Sequence, residues 1–124
     1  MKPSENELKI LQILWDLGPS SVREVHEKIS ESKDSGYTTT LKLMQIMATK
    51  GIAIRDTSAR THIYSAAISE QKTKTDLLSK FISATFKGSS SSLVLQALGN
   101  GKTTQDELDE IKALIVSIEK TNRK

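Results

Sequence analysis

The sequence predicts a mostly helical fold that carries one small β-hairpin. Two observations predict it. Ser/Thr-x-x-Glu capping boxes open runs of apolar residues at helical spacing, and two short alternating stretches sit either side of a polar turn. The chain is 124 residues long, enough for one compact domain or two very small ones.

The first helix is signalled by Ser4-Glu5-Asn6-Glu7. The Ser4 hydroxyl can accept from the Glu7 amide while Glu7 reaches back. Leu8, Ile10, Leu11, Ile13, Leu14, Trp15 and Leu17 follow at helical spacing, and Gly18-Pro19 ends the run. Ser21-Val22-Arg23-Glu24 opens a short second helix with Val22, Val25 and Ile29 as its buried stripe. Ser30 to Gly36 is polar and reads as a loop. A third helix is predicted from about Tyr37 to Lys50, with Gly51 as its left-handed terminator. Leu43, Met44 and Met47 face the core in this reading, and Thr40 packs inward. Thr38, Thr39, Lys42, Gln45, Ile46 and Thr49 share the opposite face, with Leu41 at the edge of both.

Ile52 to Asp56 and Thr61 to Ser65 alternate as strands do, and Thr57 to Arg60 is the turn between them. Three short helices followed by a hairpin is the order of a winged helix-turn-helix. Beyond it, Leu77, Leu78, Phe81, Ile82 and Phe86 give one apolar helix face. Gly88 and four serines read as a helix break, with one serine capping the next helix through Leu98. Gly99-Asn100-Gly101 breaks the chain again, and Thr104-Gln105-Asp106-Glu107 is a third capping box. Leu108, Ile111, Leu114, Ile115 and Ile118 then form a last stripe. The expected division is residues 1–67 as a winged helix-turn-helix and residues 68–124 as a helical dimerisation domain.

Composition narrows the function. Aromatic residues are 4% of the chain, so Leu, Ile, Val, Met and Ala must build the core. The absence of Cys removes disulfides, thiolate metal sites and thiol catalysis, and suits a reducing cytoplasm. No apolar run approaches the ~20 residues that span a bilayer, so no membrane insertion is expected. The two histidines, His26 and His62, lie on different elements and form no zinc-protease motif. His26 reads as a solvated or helix-face residue. The acidic residues Asp106, Glu107, Asp109 and Glu110 suit the dipole at a helix start and need no metal. Neither a catalytic constellation nor a cofactor site is expected, and the chain does not read as an enzyme.

Charge points to a polyanion. The net charge is +3, but between Lys33 and His62 stand Lys33, Lys42, Lys50, Arg55 and Arg60 against Asp34 and Asp56. A helix entering the major groove needs small hydrogen-bonding residues at its tip. Thr38, Thr39 and Thr40 supply them, Lys42 follows one turn later, and Gln45 is on the same outer face as Lys42. Ser20, Ser21 and Arg23 open the helix whose end crosses a phosphate strand in this kind of docking. Arg55, Arg60 and His62 can reach the backbone or the minor groove from the hairpin. One such unit makes few base contacts, so a dimer on two half-sites is expected. Leu78, Phe81, Ile82, Phe86, Leu108, Ile111, Ile115 and Ile118 exceed what the second half can readily bury against itself, and are the candidate dimer surface.

These stretches together resemble the BlaI/MecI/CopY family of bacterial repressors. The resemblance is carried by Leu11-Gln12-Ile13-Leu14-Trp15 with Gly18-Pro19, by Ser21 to His26, and by Gly36 to Met47 with Lys50-Gly51. Arg55-Asp56, Arg60 to Tyr64, Phe86 to Ser89, Leu93-Val94 and the Thr104 to Leu114 helix continue it. It implies a cytoplasmic homodimer that binds double-stranded operator DNA of dyad symmetry and blocks transcription. In one branch a membrane sensor metalloprotease triggers cleavage of the repressor's dimer region; in another a cysteine-rich tail binds copper. This chain has no Cys and no Asn-Phe pair in its rear half, and it carries Ile46 where many relatives carry Arg. The copper mechanism is therefore excluded and the inducing signal is left open. Two other readings stand beside repression: a winged-helix regulator that responds to a small ligand, and a winged-helix protein-interaction module that does not touch DNA.

Overall fold

A computed structural model describes residues 3–31 and 36–123. Residues 32–35, with Lys33 and Asp34 of the expected loop, lie outside the described residues. The chain divides into two compact units between Leu78 and Ser79.

In the first unit, α1 spans Glu5–Leu17. Its capping box forms as the spacing predicts: the Glu7 amide donates to Ser4 Oγ at 3.2 Å, and the Ser4 amide donates to Glu7 Oε1 at 2.9 Å. Ile10, Leu11 and Leu14 are buried on one face. Gly18 stops the helix at φ 81°, a conformation that a side chain would strain. The two-residue strand β1, Ser20–Ser21, leads directly into α2, Val22–Ser30, which buries Val22 and Val25. Helix α3, Tyr37–Lys50, buries Thr40, Met44 and Met47 and ends at Gly51 in the left-handed region, φ 83°. Leu43 is half-buried. Strands β2, Ala53–Asp56, and β3, Ile63–Ala66, complete the unit with the start of α4, Glu70–Thr85.

The hairpin differs from expectation in three ways. The sheet has three antiparallel strands in the order β1-β3-β2, because Ser20 pairs with Tyr64 and Ser21 with Ile63. Its inward phase is shifted by one residue. The Ile52 amide donates to the Met47 carbonyl at 3.1 Å and so still belongs to the turn that leaves α3. Ala53 therefore faces the core, while Ile54 is 57% exposed. Thr61 and His62 fall in the turn, which carries the chain as far as Ile63.

The core joins Ile10, Leu11, Leu14, Val22, Val25, Met44, Met47, Ile52 and Ala53 around the ring of Tyr64. One charged group is enclosed with them. Glu7 is only 2% exposed, and its carboxylate accepts from Lys50 Nζ at 2.9 and 3.1 Å. Burial alone would raise this carboxyl. The Ser4 amide and the Lys50 ammonium outweigh burial and hold it below the ordinary glutamate range.

In the second unit, helix α4 runs out at Thr85, and Lys87 and Gly88 turn the chain with positive φ. Ser89 caps α5, Ser90–Gly99, by accepting from the Ser92 amide at 3.2 Å. Thr104 and Glu107 form the expected capping box of α6, Gln105–Asn122. From Ser79 to Arg123 no residue is buried. Ile82, Phe86, Leu93, Leu98, Leu108 and Ile111 are half-buried, and Phe81 meets Phe86 edge-on with centroids 5.9 Å apart.

Candidate nucleic-acid interface

Helix α3 separates its two faces cleanly. Thr40, Met44 and Met47 turn inward, whereas Thr38, Thr39, Lys42, Gln45, Ile46 and Thr49 are exposed, so the expected tip of three threonines is corrected to Thr38 and Thr39, because Thr40 packs in the core. The N-cap position belongs to Gly36, and no side chain closes it. Capping therefore does not account for Thr38 and Thr39, which sit exposed on the first turn.

Helix α2 is anchored at its start from two sides. Ser21 pairs with Ile63 through β1, and its hydroxyl accepts from the Glu24 amide at 3.2 Å. Arg23, on the first turn, is exposed and places its guanidinium carbon 5.9 Å from the centroid of the Tyr37 ring. Beside that ring stands His26. It is half-buried, shares a 3.2 Å hydrogen bond with Thr40 Oγ1 through Nδ1, and shares one of 3.3 Å with Ser30 Oγ through Nε2. Of the two expected settings, solvated or helix-face, His26 takes the helix-face one, and it ties α2 to the start of α3. Among the described residues no group of three or more His, Asp or Glu side chains could hold a metal ion.

The turn of the hairpin is closed by Asp56, whose carboxylate accepts from the Ser58 amide at 2.9 Å. Hydrogen bonds from Ser58 hold the Asp56 carboxyl below the usual aspartate range. Arg55 opposes Tyr64 in the sheet and is exposed.

A cleft of about 470 Å³ lies between the start of α2, the outer face of α3 and the chain entering β3. Five predicted residues line it together: Ser21, Arg23, Gln45, Arg60 and His62. Thr38, Lys42 and Arg55 do not line it. Thr39 lines a separate groove of about 50 Å³ with Asn6 and Lys9 of α1. Tyr37, Leu41 and Thr61 also line the main cleft, and sequence reasoning does not single them out as site residues. For Tyr37 the available signal is an aromatic residue at the first position of a helix rich in threonine.

The basic excess is smaller than the sequence count. Lys50 is committed to Glu7. Lys42, Arg55 and Arg60 are exposed and form no ion pair among the described residues. Of the exposed cations, Arg23 and Arg60 line the cleft itself.

Comparison with known proteins supplies the family. The sequence model of the penicillinase repressor family matches residues 3–117. The chain belongs to that family. The methicillin resistance regulatory protein MecI of Staphylococcus aureus (strain N315) is 26% identical over 112 residues, covering 90% of this chain and 91% of the relative. The penicillinase repressor of Staphylococcus aureus is 25% identical over 114 residues, 92% of this chain and 90% of the relative. The transcriptional regulator BlaI of Mycobacterium tuberculosis (strain ATCC 25618 / H37Rv) is 34% identical over 59 residues, 47% of this chain and 43% of the relative. As a member of the penicillinase repressor family, the chain is a transcriptional repressor and not an enzyme. Its mostly helical architecture with a three-stranded sheet is that of a winged helix-turn-helix followed by further helices. Among the described residues no helix is long and apolar enough to cross a membrane.

Proposed function

We propose that this chain represses transcription as a cytoplasmic homodimer, occupying an operator of dyad symmetry. Residues 1–67 read the DNA and residues 68–124 pair the two copies. The observation that carries the reading is the cleft that gathers Ser21, Arg23, Gln45, Arg60 and His62 beside an outward α3 face of Thr38, Thr39 and Lys42. Helix α3 enters the major groove, where Thr38, Thr39 and Gln45 meet base edges and Lys42 meets phosphate. Ser21 and Arg23 meet the phosphate strand that crosses the start of α2, where the helix dipole also favours an anion. Arg55, Arg60 and His62 hold flanking backbone from the hairpin.

The second copy would pair through the apolar faces of α4 and α6. Leu78, Phe81, Ile115 and Ile118 are about half exposed, at 49%, 51%, 50% and 49%. Ile82, Leu108 and Ile111 lie half-buried in the same helices, and Phe86 is half-buried just past the end of α4. Release by a membrane sensor metalloprotease that cuts the dimer region follows from the family resemblance. A chain that stays intact while its target genes are induced overturns that step.

The test is a salt series of binding to duplex DNA from upstream of the chain's own gene, with Thr39→Ala and Lys42→Ala beside the parent. The reading expects site-selective binding whose affinity falls steeply with salt. Lys42→Ala should lower the log–log salt slope by about 0.9 for each phosphate that the lysine neutralises in the parent. Thr39→Ala should weaken site-selective binding while leaving that slope in place. Equal, weak binding to any duplex, or none, favours the protein-interaction module or a repressor whose operator lies elsewhere.

A further inference from the structure

Arg23, Tyr37 and His26 make one continuous stack across the junction of α2 and α3. The Arg23 guanidinium lies over the Tyr37 ring, 5.9 Å from its centroid. His26 meets the same ring edge-on, with centroids 5.6 Å apart and an interplanar angle of 82°. His26 is in turn bonded to Thr40, a core residue only 1% exposed. A ladder of contacts thus runs from the core of the unit out to an exposed cation at the cleft. An exposed arginine samples many rotamers, and fixing it when an anion binds costs entropy. An aromatic face beneath the guanidinium attracts it and narrows that freedom beforehand.

We propose that Tyr37 is a positioning residue for DNA binding. Its ring holds the Arg23 guanidinium at the cleft between α2, α3 and β3, so that a backbone phosphate meets a cation already in place. His26 supports the ring through its edge-on contact. Tyr37 acts through Arg23 and contributes no base or phosphate contact of its own. The inference rests on the DNA-binding reading above and adds to it a residue whose role is preorganisation.

A double-mutant cycle on the full chain tests it, with duplex DNA from upstream of the chain's own gene as the probe, at two salt concentrations. A phosphate contact is independent of base sequence, so a second, unrelated duplex reads the same effect. Tyr37→Leu should weaken binding about 3-fold for each protomer bound, the scale of an exposed cation–π contact. Tyr37→Phe keeps an aromatic face and should restore most of that affinity. Arg23→Ala should lower both affinity and salt slope. In the Arg23→Ala background, Tyr37→Leu should cost nothing further. An additive cycle means that Tyr37 acts by itself and overturns the proposal, as does a Tyr37→Phe variant as weak as Tyr37→Leu. Weakened binding by Arg23→Ala with none by Tyr37→Leu overturns the proposal while leaving the DNA-binding reading intact. No salt-dependent binding by the parent chain removes both.

Discussion

The two units of this chain use similar helices in opposite ways. In the first, α1, α2 and α3 each bury a stripe, and the stripes meet around Tyr64 with Leu11, Val25, Met44 and Met47 fully enclosed. In the second, α5 and α6 carry as much apolar character, yet Leu95 is 72% exposed and Leu114 60%. The difference is one of partners and not of sequence quality, since α1 and α6 open with the same kind of capping box. A stripe that finds a neighbour within the unit becomes core, and a stripe left half exposed calls for a surface from elsewhere.

Truncation should separate the units most sharply. Leu11→Ala removes a fully enclosed side chain and should cost about 3 kcal/mol in denaturant unfolding. The same change at Leu95 should stay within about 0.5 kcal/mol for the isolated protomer. Equal costs would mean that the second unit packs as tightly as the first. Ile115→Asp comes next. It places a charge on the proposed dimer surface and should give a monomer by sedimentation. With two half-sites no longer linked, operator affinity should fall about 100-fold, while unfolding of the first unit is unchanged. A dimer that survives the change would break the comparison.

A smaller effect tests the charged group inside the first core. Lys50→Met leaves the Glu7 carboxylate buried without its ammonium. The cost should be about 2 kcal/mol at neutral pH, below the ~3–5 kcal/mol of a fully enclosed pair because the Lys50 side chain is 37% exposed. The folded carboxyl lies below the ordinary glutamate value of ~4.3, so the parent keeps this stabilisation above that value. It is lost as pH falls through the lowered folded value. The gap between parent and variant should therefore narrow on acidification, which urea titrations across that range would show.

Much of the architecture is legible in the sequence because its signals are local. Capping boxes at Ser4, Ser21 and Thr104, the stop at Gly18 and the left-handed cap at Gly51 each need only a few neighbouring residues, and so does the division of α3 into two faces. What escapes the sequence depends on distant partners. Strand β1 is two residues long and has no periodicity to detect; it is a strand only because Tyr64 and Ile63 lie beside it. Alternation counted from Ile52 misplaces the inward face of the hairpin, because the Met47 carbonyl keeps Ile52 in the preceding turn. Glu7 reads as half of a capping box, and its second role is set by Lys50, far along the chain. Lys50 in turn reads as free positive charge for DNA. At the candidate interface, α3 residues are readable from helical phase, whereas the joining of Arg23 to Tyr37 requires the crossing of α2 and α3.

Trp15 gives these contrasts an optical handle. It is the only tryptophan in the chain, is half-buried on α1, and donates from its indole nitrogen to the Ile68 carbonyl at 3.1 Å. Ile68 belongs to the segment that leads from β3 into α4. Intrinsic emission therefore reports on the first unit and on the seating of that segment, while everything beyond it is dark in the same channel. Fluorescence of an unlabelled sample would thus follow the first unit alone, while helical circular dichroism sums over the helices of both, and a gap between the two melting curves would be the second unit's own transition.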